Sequence, residues 1–493
     1  MAVVVMAINL RNPVSLDPEN VEDFRDLAHL MVDDIVDYIA GLSDRPVWQP
    51  ITDQEKNSFN QPIPLQPQGE ASAYQDFKDN VFYQPMGNLH PRFWGWVMGN
   101  GVPLAAFADL FASIMNPNLG GGDHVANYVE RQVVDWCKQI VGFPSDASGL
   151  LVSGGSMANF IGLAVARNTM AGFDVRNKGI AAAPAKLTVY ASSETHSSNY
   201  KTVEQLGIGK DWMRFIPVDR NFSMNIDLLE EAIAADKAAG YQPVCIIGNA
   251  GTTNTGAFDN LNDIADIAER ENVWFHVDGA FGALARLSPK YGHITAGMER
   301  ADSLAFDLHK WMYLPMGVAC ILIRNFEDHI NTFAVSPDYL SHMPRGLAGG
   351  DHAWYGDLGI ELSRSFRALK VWLTFKAYGI DHFARQIEQD IDHAKYLALL
   401  VEQQPNLELL DSVPLNIVCF RYLPEEGFEG EINELNREIM LRLHERGLAV
   451  PSYTRLNSNF ALRVSITNHR SKPADFEYLV EKVIEIGEEI LGA

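Results

Sequence analysis

The chain has 493 residues, of which 47% are hydrophobic and 21% are charged, a composition typical of a globular protein with two or three domains. Its 63 acidic and 39 basic residues give a formal charge of −24, which disfavours binding to nucleic-acid phosphates and to anionic membranes. The sequence has no apolar run long enough to cross a bilayer and no basic-flanked signal segment. We therefore expect a cytoplasmic protein without nucleic-acid or membrane partners.

The chain is predicted to have three parts. Residues 1–85 form a helical N-terminal segment, because apolar side chains recur at three- and four-residue spacing between Val21 and Ile35 before a glycine ends the run. In residues 86–385 short apolar strands alternate with helical stretches, which predicts a mostly parallel, doubly wound α/β sheet. Residues 386–493 follow a helix, strand, strand, helix pattern, which indicates a small α+β C-terminal domain.

One strand of the central region, in "GLLVSGGSMANF", ends at Gly154 and Gly155, and a helix begins there with Ser156. Glycines permit a sharp turn, and the free N–H groups at the start of a helix favour an anion such as phosphate. A serine that only caps the helix is the alternative. The stretch lacks the Gly-Lys-Ser/Thr of a Walker motif and the G-x-G-x-x-G of a dinucleotide site. No Cys or His spacing predicts a metal site.

Polar residues follow four further strands of the same region. They are His196 after "LTVYASSET", Thr253 in "GNAGTTNTG", Asp278 in "NVWFHVDG", and Asp307, His309 and Lys310 in "LAFDLHKW". Each has an ordinary alternative: a structural histidine, a plain turn or a surface lysine. Asp278, however, ends a nearly continuous apolar strand, and burying a carboxylate requires a cationic or hydrogen-bonding partner. Because ligands bind at the carboxyl ends of strands in open α/β sheets, we expect these residues to share one site.

A phosphate-suited turn, an acid, a lysine and a histidine at one sheet edge are the groups that pyridoxal 5′-phosphate requires. The aldehyde of this cofactor needs an amine for a Schiff base, which Lys310 supplies. Its pyridine nitrogen needs a carboxylate that keeps it protonated, which Asp278 supplies. A charge-assisted hydrogen bond of about 1.5–3 kcal/mol would offset part of the cost of burying that carboxylate. The sequence therefore predicts a pyridoxal-phosphate site.

Seven stretches give the chain a family resemblance. In order and spacing, "HPRFWGWV", "SGGSMAN", "GTTNTGAFDN", "HVDGAFG", "DLHKW", "SPDYL" and "SRSFRALKVW" resemble the motifs of group II pyridoxal-phosphate-dependent amino-acid decarboxylases. This is the family of aromatic-L-amino-acid, histidine and glutamate decarboxylases, and the resemblance covers nearly the whole chain. It implies the aspartate-aminotransferase-like fold type I and an amino-acid substrate. It also implies a homodimer with shared active sites, in which the helical N-terminal segment clasps the partner subunit.

The resemblance implies roles for individual residues. Lys310 would hold the cofactor, Asp278 would bind its ring nitrogen, and His196 would stack on the ring near the substrate carboxylate. Ala280 would pack on the opposite face of the ring, and Thr253 would lie near cofactor and substrate. Four residues match phosphate-binding positions or lie beside them, namely Gly155, Ser156, Asp307 and His309.

Two more positions are matched by the resemblance. Ser363, at the start of "SRSFRALKVW", matches a position whose backbone reaches the phosphate from the neighbouring subunit. Tyr339 precedes a stretch with five glycines between Gly346 and Gly359, which is typical of a mobile loop that closes over a site. In the decarboxylases the tyrosine at this position protonates the carbanion left by CO2, whereas related aldehyde synthases have phenylalanine. Tyr339 therefore favours amine formation.

The residues after "HP" line the side-chain pocket in this family. Here they are mostly aromatic and apolar: Phe93, Trp94, Trp96 and Val97. This favours phenylalanine, tyrosine, tryptophan or dopa-like substrates. Arg92 belongs to a pattern that also occurs in glutamate and sulfinate decarboxylases, so an acidic or small amino acid is the alternative substrate.

Two departures from the family concern specificity. Met157 stands where many members have Glu, and "NLGGGDHVANYVE" differs from the animal aromatic decarboxylases in the pocket wall that a partner subunit would contribute. An alternative of a different class is a non-catalytic protein that binds a phosphate ligand on the same scaffold. It would require Lys310 to be unmodified, which an absorbance spectrum tests.

Overall fold

The computed structural model describes residues 15–335, 343–350, 353–425 and 430–492. The chain divides into two compact units, one from residues 1–46 and 51–85 and the other from residues 47–50 and 86–493. Among the described residues, no helix combines the length and the low polarity needed to span a bilayer.

The first unit is helical. Its helices are α1 (Val21–Ala40), α2 (Asp53–Ser58) and α3 (Glu70–Phe77). Asn20 caps α1 by accepting a hydrogen bond from the backbone N–H of Glu22, and the helix covers the run that the apolar spacing predicts. Several apolar side chains of α1 are exposed, among them Val21, Phe24 and Leu30. Within the first unit, the described residues thus cover the apolar face of this helix only in part.

The second unit is an α/β structure with two sheets. Its strands are β1 (Phe93–Trp94), β2 (Ser148–Val152), β3 (Leu187–Ser192), β4 (Met213–Ile216), β5 (Gln242–Asn249), β6 (Trp274–Asp278), β7 (Ser303–Asp307), β8 (Ala319–Ile323), β9 (Leu407–Leu409), β10 (Ile417–Tyr422), β11 (Val450–Leu456) and β12 (Asn459–Ser465). Its helices are α4 (Pro103–Met115), α5 (Val125–Val141), α6 (Gly155–Met170), α7 (Val175–Lys178), α8 (Ser197–Gln205), α9 (Ile226–Ala238), α10 (Leu261–Glu271), α11 (Leu308–Trp311), α12 (Phe326–Phe333), α13 (Ala368–Tyr378), α14 (Ile380–Glu402), α15 (Ile432–Glu445) and α16 (Pro473–Gly492).

The larger sheet has seven strands in the order β2-β8-β7-β6-β5-β3-β4. Strands β3 to β7 run parallel, and β8 is antiparallel to its neighbours β2 and β7. The central strands are buried along nearly their whole length, as expected for a sheet covered on both faces. This arrangement confirms the predicted α/β class with a mostly parallel sheet. The carboxyl ends of β3, β5, β6 and β7 lie at one edge, where Asp278 pairs in register with Asn249.

The smaller sheet has five strands in the order β1-β11-β12-β10-β9. The sequence pattern predicts β11 and β12 and their flanking helices α15 and α16, but it does not predict the other three strands. Strand β1 joins this sheet because Phe93 and Trp94 pair in parallel with Val450 and Pro451. The Trp94 ring stacks on Phe476 of α16, with ring centroids 5.2 Å apart. Pairing between segments so distant in the chain leaves no local sequence pattern, which is why β1 was not predicted.

Helix α14 contacts elements of both sheets. On one side it packs on the turn Gly282–Leu287, which follows β6, and on the other it packs on β9, β10 and α16. The boundary that we predict at residue 386 therefore falls inside one continuous 23-residue helix. The division into a large and a small domain stays a prediction.

Candidate active site

Lys310 lies on the single helical turn α11, which follows strand β7. The strand ends at Asp307, and α11 brings Lys310 back over it, so that Lys310 Nζ and Asp307 Oδ2 are 2.8 Å apart. The Asp307 side chain is 2% exposed, whereas that of Lys310 is 21% exposed. Asp307 Oδ1 is buried and accepts no hydrogen bond from the described residues. The amine is thus held by a buried carboxylate and stays accessible to a ligand.

The glycine turn before α6 packs directly on Asp307. A Cβ atom on Gly155 would lie 2.8 Å from Asp307 Oδ2, so only a residue without a side chain allows this approach. Helix α6 begins at Gly155, with Gly154 as its cap residue. The first N–H groups that donate within the helix are those of Met157 and Ala158, both to the carbonyl oxygen of Gly154. The N–H groups of Gly155 and Ser156 have no acceptor within the helix. The turn can therefore offer two N–H groups to an anion near Lys310.

His309 lies against the same glycine turn and is buried. A Cβ atom on Gly154 would lie 3.5 Å from His309 Cε1. His309 Nδ1 is 2.8 Å from the carbonyl oxygen of Val318, so Nδ1 carries the proton and donates it, and Nε2 is the acceptor in the neutral ring. Burial lowers the pKa of His309, although the nearby Asp307 opposes this shift. The ring is therefore neutral at pH 7.

Asp278 ends strand β6 and is held by neutral donors. Its Oδ2 accepts hydrogen bonds from Asn159 Nδ2 and Asn199 Nδ2, both at 2.9 Å. Its Oδ1 accepts a weaker bond from the backbone N–H of Ala280 at 3.2 Å. The residue is 5% exposed, and no lysine or arginine of the described ranges forms an ion pair with it. Because a carboxylate oxygen has two lone pairs, Oδ1 retains acceptor capacity for a cationic ligand.

His276 lies behind Asp278 and orients Asn159. Its Nε2 is 3.0 Å from Asn159 Oδ1, and its Nδ1 is 2.8 Å from Ser303 Oγ. Since Asn159 uses its N–H group on Asp278, its oxygen accepts the Nε2–H of His276. Burial lowers the pKa of His276 to about 4, so the ring is neutral. No local sequence pattern predicts this network, although His276 and Asp278 are two residues apart on β6 and so face the same side of the sheet.

His196 is the cap residue of helix α8. Its Nδ1 accepts hydrogen bonds from the backbone N–H of Ser198 at 3.2 Å and from the Ser198 hydroxyl at 2.8 Å. The proton of the neutral ring therefore lies on Nε2. Part of the residue is exposed, yet the surrounding protein desolvates the ring and lowers the pKa of His196; Lys310 acts in the same direction and Asp278 opposes it.

Arg463 of β12 joins the loops that carry Thr253 and Trp96. It is 3% exposed, and its guanidinium donates to the carbonyl oxygens of Thr253, of Asn254 at 3.0 Å and of Trp96 at 2.9 Å. Burial lowers the pKa of Arg463 to about 10. A single arginine in an apolar strand leaves no local sequence pattern that would predict this role.

Of the four predicted pocket residues, Trp96 alone is exposed, at 56%. Its φ of 54° lies in the left-handed region, which is uncommon for a residue with a side chain. Phe93 and Val97 are buried. Trp94 is also buried, in the core of the smaller sheet, where its Nε1 donates to Ser471 Oγ at 3.0 Å. We therefore assign Trp94 to packing and leave it out of the proposed pocket.

The segment that carries Trp96 passes directly against residues 308–313, which we call the lysine turn. A Cβ atom on Gly99 would collide with the carbonyl oxygens of His309 and Lys310. This close approach places the loop against the backbone of His309 and Lys310, although the two segments are far apart in the sequence. Glycine is required at this position by the neighbouring backbone.

The structure of the single chain does not place two of the predicted site residues, Ser363 and Tyr339, in this cluster. Ser363 is exposed, and the next residue, Arg364, is buried in an ion pair with Glu130 at 2.5 Å. Tyr339 lies outside the described residues, so its role stays a prediction. Thr253 and Ala280 follow β5 and β6 and are half-buried at the carboxyl edge of the larger sheet; their roles toward cofactor and substrate stay predictions.

The groups at this sheet edge fit pyridoxal 5′-phosphate. Lys310 offers an accessible amine, Asp278 offers a carboxylate with an unused lone pair, and the glycine turn offers N–H groups to a phosphate. The unbonded Oδ1 of Asp307 marks a place where the buried site lacks a polar partner. In the part of the chain that the structure describes, no group of His, Cys, Asp or Glu side chains is suited to hold a metal ion.

Comparisons with known proteins agree with this geometry. A family model described as "Pyridoxal-dependent decarboxylase conserved domain" matches residues 53–423. The chain is 35% identical over 475 residues to an aromatic-L-amino-acid decarboxylase of Bacillus atrophaeus, which covers 96% of this chain and 97% of that protein. It is 28% identical over 473 residues to tyrosine decarboxylase 2 of Arabidopsis thaliana, which covers 92% and 85%. A solved structure of Oryza sativa TDC with PLP and tryptamine superposes with a TM-score of 0.89 at 25% identity, over 97% of this chain and 100% of that one.

Proposed function

The chain belongs to the pyridoxal-dependent decarboxylase family and is a pyridoxal-phosphate-dependent amino-acid decarboxylase, and from this premise we propose that its substrate is an aromatic L-amino acid. The reaction releases the α-carboxyl group as CO2 and yields the amine. When bound, the cofactor supplies the electron sink that receives the electrons of the broken bond. The observation that carries the substrate assignment is Trp96, an exposed aromatic residue on the loop that passes against the Lys310 turn.

We assign the binding roles as follows. Lys310 binds the cofactor through its amine, for which it must leave its ion pair with Asp307. Asp278 binds the ring nitrogen through Oδ1 while Asn159 and Asn199 hold Oδ2. The glycine turn binds the phosphate through its N–H groups, with the neutral His309 ring beside it. The accessibility of the amine and the spare acceptor on Asp278 support these roles.

Two residues are assigned to the substrate and its protons. His196 has its proton on Nε2 in the neutral ring, which suits a donor to the substrate carboxylate. A neutral donor orients that carboxylate without holding it as tightly as a cation would, and this favours the loss of CO2. Tyr339 protonates Cα once the carboxylate has left, a role that rests on the family resemblance.

An acidic substrate is the second candidate, and the arginines near the site do not favour it. An acidic side chain would need a cationic partner in a buried pocket. The Arg92 guanidinium lies over the ring of Tyr478, 4.6 Å from its centroid. The Arg463 guanidinium donates to three main-chain carbonyl oxygens. The hydrogen bonds of Arg463 are thus largely used on the main chain, and the Arg92 guanidinium faces the Tyr478 ring, which supports an uncharged aromatic side chain instead.

We further propose a cytoplasmic homodimer with shared sites. Helix α4 exposes large apolar side chains that are each more than half exposed, namely Leu110, Phe111, Ile114 and Met115. Clustered apolar exposure of this kind is typical of a protein interface. The exposed apolar residues of α1 support packing of the N-terminal segment on a partner. The exposure of Ser363 is consistent with its predicted contact across that interface.

Substrate profiling tests the aromatic assignment. The purified holo-protein is incubated separately with each of the twenty amino acids and with dopa, and CO2 and amine are measured. We expect amines from aromatic substrates, and we expect Trp96→Ala to raise KM for them about tenfold, because an aromatic pair contributes about 0.5–1.5 kcal/mol beyond the buried area. Phe326→Ala, which removes a partly exposed ring of α12, is the matched control. Turnover confined to glutamate, aspartate or cysteine sulfinate would overturn the proposal.

A further inference from the structure

The backbone that follows Lys310 is anchored to helix α14 by one buried carboxylate. Asp390 Oδ2 accepts a hydrogen bond from Trp311 Nε1 at 2.8 Å and another from the Tyr313 hydroxyl at 2.6 Å. All three residues are at most 2% exposed. Trp311 is the residue next to Lys310, so these bonds act within three positions of the reactive amine.

Tyr313 closes the lysine turn in an unusual conformation. Its φ of 51° is in the left-handed region, which a residue with an aromatic side chain rarely adopts. Its N–H donates to the Lys310 carbonyl oxygen at 3.3 Å, and its own carbonyl oxygen accepts from Val102 at 2.7 Å. Strained backbone of this kind persists where the surroundings hold it in place. The bond from the Tyr313 hydroxyl to Asp390 is one of those restraints.

Asp390 is a costly residue at this position. It is fully buried, and no lysine or arginine within the described ranges forms an ion pair with it. Its remaining partner is Gln386 on the same helix, whose Nε2 is 3.4 Å from Asp390 Oδ1. A buried carboxylate without a cation is unfavourable unless its hydrogen bonds are specific. The two strong bonds that it makes both point to the lysine turn.

We propose that Asp390 is a positioning residue that fixes the Lys310 turn relative to helix α14, and so sets the orientation of the Lys310 amine toward the cofactor. Helix α14 contacts the smaller sheet through β9 and β10, and the lysine turn is thereby tied to that sheet. The inference rests on the proposed role of Lys310 as the cofactor-binding lysine. It assigns Asp390 no contact with substrate or cofactor.

Substitutions of Asp390 distinguish the loss of its hydrogen-bond acceptor from the loss of its charge. Both strong bonds end on the same oxygen, so the amide oxygen of Asp390→Asn can accept them, whereas Asp390→Leu removes the acceptor. We expect the Asn variant to behave as wild type, and the Leu variant to lose about tenfold or more in kcat with a smaller change in KM. Gln389→Leu, an exposed neighbour on the same helix, is the matched control.

A second readout needs no turnover. Cofactor-free protein is mixed with pyridoxal 5′-phosphate, the lysine-bound form is trapped with borohydride, and the modified lysine is identified by mass spectrometry. We expect Asp390→Leu and Tyr313→Phe to slow trapping at Lys310 by about tenfold, and Asp390→Asn to restore the rate. Tyr313→Phe keeps the ring and loses only the hydroxyl, so the test stands even where the Leu variant does not fold.

Two results would overturn the positioning role of Asp390. Wild-type trapping rates in Asp390→Leu and Tyr313→Phe would overturn the proposal, and so would an Asn variant as impaired as the Leu variant. Trapping of the wild type at a lysine other than Lys310 would instead contradict the proposed cofactor role. A failure of the aromatic substrate assignment leaves the trapping experiment unaffected, because no amino acid is present in it.

Discussion

Acidification is expected to destabilise the folded chain through His276. The ring is fully buried and burial lowers its pKa to about 4, whereas an unfolded histidine titrates near 6.5. Between these values the unfolded chain binds a proton that the folded chain does not. The free energy of unfolding therefore falls by about 1.4 kcal/mol for each pH unit below the unfolded pKa. Above the unfolded pKa, His276 does not change the pH dependence of stability. Below about pH 4 the loss of free energy of unfolding levels off near 3 kcal/mol.

The substitution His276→Gln isolates this contribution. Glutamine does not titrate and can still hydrogen-bond to Asn159 or Ser303. Urea denaturation of the cofactor-free protein should show that wild-type stability, relative to the variant, falls by about 3 kcal/mol between about pH 7 and about pH 4. At and above neutral pH the difference between the two proteins should be constant. If the difference in free energy of unfolding between the two proteins does not change on acidification, His276 is not a buried, neutral ring in the folded chain.

Three further predictions address the site directly. Lys310→Ala should abolish both turnover and the absorbance of lysine-bound cofactor, and retention of either contradicts its role. Gly155→Ala places a Cβ atom 2.8 Å from Asp307 Oδ2, so the free energy of unfolding in a urea denaturation should fall by about 1–3 kcal/mol from overpacking; an unchanged free energy of unfolding would contradict the close approach. Tyr339→Phe should divert product from amine to aldehyde, ammonia and peroxide as dioxygen is consumed, and unchanged amine output would count against Tyr339.

The α/β sheet and its functional edge could be predicted from the sequence because both depend on local patterns. An apolar run followed by a polar residue marks the carboxyl end of a buried strand, and parallel strands place those ends at one edge. Asp278 and Lys310 were found in this way, and the structure places both at that edge. The glycine turn is predicted as an anion site because glycines permit a sharp turn and the free N–H groups at a helix start favour an anion.

The rest of the site depends on contacts between distant segments. Asn159 and Asn199 look like ordinary helical residues in the sequence, and their amide groups become significant only where α6 and α8 meet Asp278. The family resemblance predicts that Trp94 lines the pocket, because the residues after "HP" line it in the family. Its segment instead pairs with β11, which turns its ring toward Phe476. Local patterns carry no information about such pairings.

Asp278 accepts hydrogen bonds from neutral donors, which suits a site that binds a cationic ring. A buried carboxylate is stabilised most by a cation, yet the structure surrounds Asp278 with two amides and a backbone N–H, and behind them lies an uncharged histidine. These donors orient the carboxylate without neutralising its charge. A lysine or arginine at the position of Asn159 would form an ion pair and compete with a protonated ring nitrogen. Asp278 thus has hydrogen-bond donors but no cationic partner among the described residues, and a cationic ring that binds the folded chain and not the unfolded chain should stabilise the fold by mass action.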